Sequence, residues 1–288
     1  MAKKYQTEGF QPDEELSEFF TKIWELDNKC SPGQDFGIDL QGYAGYKSGD
    51  YAKDHLFEWF NEDDIFSRPT YSAFRALLDN YEMQLGEAEF YTFEEKQETL
   101  HFIDTIMTTE VMKKAHKFLV EHGKAPEDEI EFKTKILRLW FKLVRRTKGD
   151  RDQDSSSFEH VFVGETKQEG MIGLHNWMQY YLQEKAGNID YQGYKKRCTV
   201  LDDEVDRIIC TKFLWRGRTG KAACSMFLGS SPEFDIAVFT TCFLMGKIGH
   251  CDYQIGEYEV EVVVYPFGSV IGTAYIVPAR MDEDDAKK

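Results

Sequence analysis

No two of the six cysteines stand as CxxC, and no Cys/His set has the spacing of a zinc site. Cys30, Cys198, Cys210, Cys224, Cys242 and Cys251 mostly sit in apolar or alternating runs, so they are expected as reduced core residues and not as disulfides. Long apolar runs are missing too. The longest, from Phe234 to Met245, falls well short of the roughly 20 residues that a membrane-spanning helix needs. The opening MAKKYQTEGF has positive charges with no apolar stretch behind them, so no secretory leader is expected. The expected compartment is the cytoplasm or nucleus. A chain whose leader had been removed would look the same, which keeps secretion open. Internal repeats and low-complexity tracts are absent.

Positive charge is scarce. Against 51 acidic residues stand 35 Lys and Arg, a net charge of −16, which speaks against non-specific adhesion to nucleic acid. The location of the charge softens that objection. From Lys133 to Arg151 there are eight Lys or Arg against one acid, Asp150. The acidic excess lies in Asp13–Glu18, Glu58–Asp64, Glu82–Glu98 and Asp282–Asp285. An acidic protein can still offer one basic groove.

What is present suits a folded chain of substantial core. Of 288 residues 42% are hydrophobic and 15% aromatic, and a chain of this length buries roughly three quarters of its unfolded surface. Leu16, Phe19, Phe20, Ile23 and Trp24 recur at helix spacing. Tyr71–Leu78, Phe93–Met107, Val111–Glu121 and Phe132–Val144 repeat the pattern, with Gly123 and Pro126 as a stop. From Arg145 to Ser157 the pattern gives way to a polar connector. Beyond it Tyr258, Val260, Val262 and Val264 alternate with glutamates as a half-buried strand does, and Ser225–Leu228 and Val270–Val277 are further strand candidates. Val161–Val163 also reads as a strand. Two helices interrupt this half: one from about Leu174 to Ala186, and one opening at Ser231-Pro232 and ending near Gly246. The expected class is α+β: a helical N-terminal lobe (1–146), a connector (147–157), a strand-rich mixed lobe with antiparallel sheets (158–280) and an acidic tail (281–288).

Three segments of the second half carry candidate chemistry. SSSFEHVFVGE holds Glu159, His160 and Glu165; GLHNW holds His175 at the start of a helix; and Lys221 enters a strand after a Gly/Arg-rich loop. Cleavage of RNA by its own ribose hydroxyl needs a proton acceptor, a proton donor and a cation for the charge growing on phosphorus. Two imidazoles and one ammonium meet that need. The products would be a 2′,3′-cyclic phosphate and a 5′-hydroxyl. A helix N-terminus would help keep His175 neutral, and Glu159 or Glu165 could orient an imidazole or hold a cation. By pattern alone, a histidine beside an aromatic or a lysine entering a strand is more often a structural residue.

At these residues the sequence resembles the EndoU family, the poly(U)-specific endoribonucleases of animals, over most of its length from about Leu16 to Pro278. The matching stretches are VMKKAHKFLVEHGK, LRLWFKLVRR, SSSFEHVFVGE, GLHNWMQYYLQEKAGNIDYQGY, FLGSSPEF and IGTAYIV. The resemblance implies His160, His175 and Lys221 as catalytic residues, Glu159, Glu165 and Thr273 as active-site support, and Arg146, or equally Arg145, as an RNA contact. It also implies cleavage at uridylates of single-stranded RNA and dependence on a divalent ion, manganese or calcium. Ser157 stands where the family commonly has glycine and Leu174 where it has phenylalanine. The loop before Lys221 is one residue longer than the family pattern.

His175 is expected as base and His160 as acid. Uridine would be read by Thr273, Tyr275, Ser230 and Ser231, with an aromatic to stack on the base; Tyr275 equally suits core packing. Asp150, Asp152 and Asp154 open like a calcium loop, but Ser155 and Val161 stand where its glycine and glutamate belong, so a solvated acidic loop is the default. No metal ligand set is assigned. The alternatives are a metal-dependent RNA hydrolase, with Glu159, His160, Glu165 and His175 as ligands, and a catalytically silent RNA-binding protein. A monomer is expected.

Overall fold

The computed structural model describes residues 9–45, 49–147, 152–167, 170–198 and 207–279. The first half is helical, as its periodicity implies. Asp13 caps α1 (Glu14–Leu26) by accepting from the Leu16 amide, and Glu14 and Glu15 meet the positive end of the helix dipole. Its Leu16, Phe19, Phe20, Ile23 and Trp24 are buried. After α2 (Glu62–Ile65) and α3 (Pro69–Ala76), a capping box of Thr92 and Glu95 starts α4 (Phe93–Met107). Then come α5 (Glu110–Glu121), which stops at Gly123 in the left-handed region, and α6 (Glu129–Phe141). A short hairpin, β1 (Phe36–Ile38) with β2 (Phe57–Phe60), interrupts the helices.

The second half holds a hairpin, β3 (Glu165–Lys167) with β4 (Gly170–Ile172), then α7 (Trp177–Lys185). A three-stranded antiparallel meander follows: β5 (Ile189–Cys198), β6 (Ile208–Trp215) and β7 (Arg218–Phe227). Ser231 caps α8 (Pro232–Leu244), and a second antiparallel meander closes the fold: β8 (Gly249–Ile255), β9 (Tyr258–Phe267) and β10 (Val270–Pro278). The α+β class is therefore as expected, with antiparallel sheets throughout the described residues. Among those residues no helix is long and apolar enough to cross a membrane. One hydrophobic cluster runs from Leu16 to Ile276: α1 packs on β8, α5 on α8, and β10 lies against both α6 and the β6–β7 pair. None of the six cysteines stands in a disulfide, and five of them are buried.

Three expectations are corrected. Val161–Val163 is not a strand. Residues Glu159–Val163 form a single π-helical turn, and every side chain in it is buried. A run buried on all sides carries no periodicity to separate the two. The helix expected from Leu174 begins only at Trp177, because Asn176 is extended and uses its side chain to cap the Met178 and Gln179 amides. The connector is not solvated in its second part: Asp154, Ser155, Ser156 and Ser157 are buried, and Val144 bridges Ser155. Asp150 and the acidic tail lie outside the described residues.

Candidate active site

The π-helical turn sets the position of the first histidine. Phe158 and Phe162 anchor it in the core, Phe158 against Phe141 (4.9 Å between rings) and Phe162 against Trp140 (5.2 Å). The Gly164 amide closes the turn on the Glu159 carbonyl at 2.8 Å, and Gly164 leaves it at φ +92°. The chain thus doubles back, and Glu165 on β3 meets His160: Oε2 lies 2.5 Å from Nδ1.

The second histidine is docked on the same turn. The Leu174 amide donates to the His160 carbonyl (3.1 Å) and the His175 amide to that of Val161 (2.7 Å). Gly173 and Leu174 are both left-handed, at φ +68° and +57°. For leucine that conformation costs about 1–2 kcal/mol, and the two docking bonds over-determine it. His175 then turns Nδ1 to the Ser225 carbonyl on β7 at 2.9 Å. A carbonyl only accepts, so Nδ1 carries the proton and Nε2 the lone pair. Lys221, from the same strand, donates to that Nε2 at 3.1 Å and also to the Gly173 carbonyl. The His175 ring lies flat on Tyr275 of β10, 4.6 Å away and 14° from parallel.

Burial dominates the electrostatics. It holds His175 well below an ordinary imidazole, with the Lys221 charge adding to the effect. Burial also lowers His160, although Glu165 pulls the other way. The Lys221 ammonium is lowered by burial as well. Glu159, fully buried behind His160, is pushed up to about 10 by burial and by the Glu165 and Glu89 charges, so it is a neutral acid at pH 7. Its Oε2 accepts from the Ser156 amide (3.2 Å), while its own amide donates to the Ser156 hydroxyl (3.1 Å).

The remaining candidates divide. Arg146 joins the site: its Nε approaches Glu165 Oε2 at 3.5 Å and donates to the Ser155 hydroxyl at 2.9 Å, with its guanidinium over the Phe267 ring. Arg145 is exposed. Tyr275 is half-buried against His175, and Thr273 is half-buried on β10 opposite Tyr265. Ser230 and Ser231 are withdrawn as ligand contacts. Both are fully buried; Ser230 bonds the Phe227 carbonyl, and Ser231 bonds Asp27 and caps α8. Asp154 is not solvated: its carboxylate accepts from the amides of Arg146, Thr147 and Gly86.

The side chains around the histidines do not fit a resident metal ion. Both His175 nitrogens are engaged, one by a cation, and among the described residues no three His, Cys, Asp or Glu side chains converge so as to hold one.

Residues 15–276 match the sequence profile of the family described as Endoribonuclease XendoU. The chain belongs to this family. It is 43% identical to the poly(U)-specific endoribonuclease-A of Xenopus laevis, over 96% of this chain and 97% of that protein. It is equally 43% identical to a uridylate-specific endoribonuclease C of Danio rerio, over 91% and 88%. A solved structure of XendoU, described as a splicing-independent snoRNA-processing endoribonuclease, superposes with a TM-score of 0.83 at 41% identity, covering 94% of this chain and 100% of that one.

In this XendoU-family chain, sequence reasoning missed three residues that build the site. Gly173 leaves no room for a side chain beside His160; its place in GLHNW was the available signal. Asn176 caps α7 and so fixes where the extended segment ends; an asparagine ahead of an apolar run is a legible cap. Ser225 acts through its main-chain carbonyl, for which no side-chain signal exists.

Proposed function

We propose that the chain is a uridylate-preferring endoribonuclease that cleaves single-stranded RNA, leaving a 2′,3′-cyclic phosphate and a 5′-hydroxyl. One observation carries this reading: a neutral His175 whose Nε2 lone pair faces the Lys221 ammonium at 3.1 Å, docked on the turn that holds a second histidine against a carboxylate.

His175 Nε2 takes the proton of the ribose 2′-hydroxyl, and the 2′-oxygen forms a bond to phosphorus. His160, kept oriented by Glu165, gives a proton to the 5′-oxygen as the P–O5′ bond breaks. Lys221 stabilises the charge that develops on the non-bridging oxygens. Protons balance within the step, and each histidine ends in the other's starting state. Uridylate preference is supported by the specificities that the relatives' names carry. Tyr275, stacked on His175, and Thr273, two residues before it on β10, are the groups we assign to the base. The divalent ion, manganese or calcium, enters this reading through RNA docking or conformation, with no step routed through it.

The test is cleavage of a labelled RNA with one uridine in EDTA, calcium or manganese, with the product ends resolved. A cyclic phosphate at the uridine is expected. A 5′-phosphate would replace this mechanism with metal-activated water. Binding without cleavage in every condition would leave an RNA-binding protein.

A further inference from the structure

Four cations of this acidic chain line two adjoining grooves on the side of the fold where α4 meets the end of α6. One groove, of about 400 Å³, is lined by Lys96, Leu100, Leu137, Arg138 and Lys142 over Tyr91. The other, of about 590 Å³, shares Lys96 and Tyr91 and adds Phe90 and Arg145, with Glu89 and Asp152 also in its lining. Lys96, Arg138, Lys142 and Arg145 are all exposed, and no carboxylate of the described residues pairs with Lys96, Arg138 or Lys142. Phe90 is 79% exposed and shares its groove with Lys96 and Arg145.

Local stability accounts for only part of this arrangement. A cation in the last turn of α6 suits the helix dipole, which explains Arg138. Lys96 stands at the opposite, positive end of its own helix, in the opening of α4 after Thr92, where a cation is disfavoured. A net charge of −16 makes such a gathering more notable still. The floor of the grooves is firm: the Tyr91 hydroxyl donates to the Phe141 carbonyl (3.1 Å), and the Glu89 amide to that of Gln153 (2.9 Å). The second groove includes Arg145, next in the chain to Arg146, which touches Glu165 and so the partner of His160.

We infer that this double groove is a second RNA-binding surface, which holds the substrate strand away from the cleaved bond, its phosphates on Lys96, Arg138 and Lys142 and a base on Phe90. Cations that track a backbone beside exposed aromatic faces are how single strands are held without sequence readout. The inference rests on the nuclease reading above, since RNA is the polyanion that such an enzyme must hold. It gives the acidic protein added affinity for RNA from a single basic stripe.

Anisotropy binding of a labelled RNA of about 20 nucleotides, longer than one site of this kind spans, tests the groove whether or not cleavage occurs. In the variant combining Lys96→Ala, Arg138→Ala and Lys142→Ala, Kd is expected to rise about tenfold or more, and the slope of log affinity against log salt to shrink by about 2, from roughly 0.7 per lost phosphate contact. Phe90→Ala weakens binding with the slope unchanged. Cleavage of a trinucleotide with one uridine, too short to reach the groove, stays at the wild-type rate in both variants. Unchanged affinity and slope for the long RNA would overturn the inference and leave the groove to an acidic protein. An equal loss on the trinucleotide would overturn it too. A wild-type protein that binds but cleaves neither RNA would instead count against the nuclease reading.

Discussion

Gly173 touches the carbonyl of His160 so closely that a Cβ built on it would lie 1.7 Å from that oxygen. This contact carries the segment from His160 to His175. Gly173→Ala is therefore expected to cost about 2–4 kcal/mol of stability, from the clash and the left-handed φ together, and to lower kcat/KM at least 10²-fold. Gly187 makes a fair comparison: it is also left-handed, at φ +74°, but a Cβ there meets nothing within 4 Å. Its alanine variant should lose only about 1 kcal/mol and keep full activity. Thermal melts and initial rates of the two variants measure the difference.

Replacing His160, His175 or Lys221 by alanine should each lower cleavage about 10²- to 10⁴-fold. Near-wild-type turnover with an intact melt would remove that residue from the mechanism. Glu165→Gln keeps the shape but removes the charge that raises His160. The His160 titration should then move to lower pH and cleavage fall about 10²-fold, read by ring-carbon NMR and a pH–rate profile.

The pH–rate profile should carry an acid limb centred below the ordinary imidazole value of about 6.5, because burial and then the Lys221 charge hold His175 down. Lys221→Met deletes a lowering influence. The His175 titration is expected to rise in that variant, and NMR would detect it even where turnover is lost. A fall or no movement would mean that Lys221 does not face His175.

The share of stability that Asp27 contributes should fall as pH rises from acid through neutrality. Asp27 is pushed up from 3.8 to about 7 by burial and by the Glu233 charge. Its folded state holds a proton that the unfolded chain has released, so its contribution is complete below pH 3.8 and lost as pH passes about 7. A displacement of that size corresponds to on the order of 4 kcal/mol. Asp235, buried next to the same helix cap, moves in the same direction. Asp27→Asn, which can still accept from Ser231, should flatten the dependence and melt higher than wild type at pH 8.

The helices of the first half were legible because each lays one apolar stripe on a shared core, as Leu16, Phe19, Phe20 and Ile23 do. β9 was legible for the corresponding reason, a period of two. β6 was not, since six of its eight residues are buried and both its faces are covered, which removes the alternation. β5 hides its pattern behind Lys195, Lys196 and Arg197, whose long side chains stay wet while their stems pack. Of the site, the residue types His160, His175 and Lys221 could be read, but their relation could not. It depends on the Ser225 carbonyl and on two main-chain bonds, Leu174 to His160 and His175 to Val161, which leave no trace in side-chain identity. Ser230 and Ser231 misled because a serine pair ahead of proline is both a good helix cap and a plausible base reader.

A π-turn holds one residue more than the α-turn that would span the same gap. His160 and Glu165 meet only because Glu159–Val163 winds that way. Removing one residue from Val161–Val163 would let the stretch relax into an ordinary turn and rotate the chain beyond it by about 100°, so that Glu165 would leave the imidazole and the shelf that receives Gly173 would turn away. No substitution elsewhere restores a missing count. In descent this pairing is therefore guarded against single-residue deletions more strictly than against many changes of side chain, and a homologue shortened by one residue here would be expected to have lost its catalysis while keeping its fold.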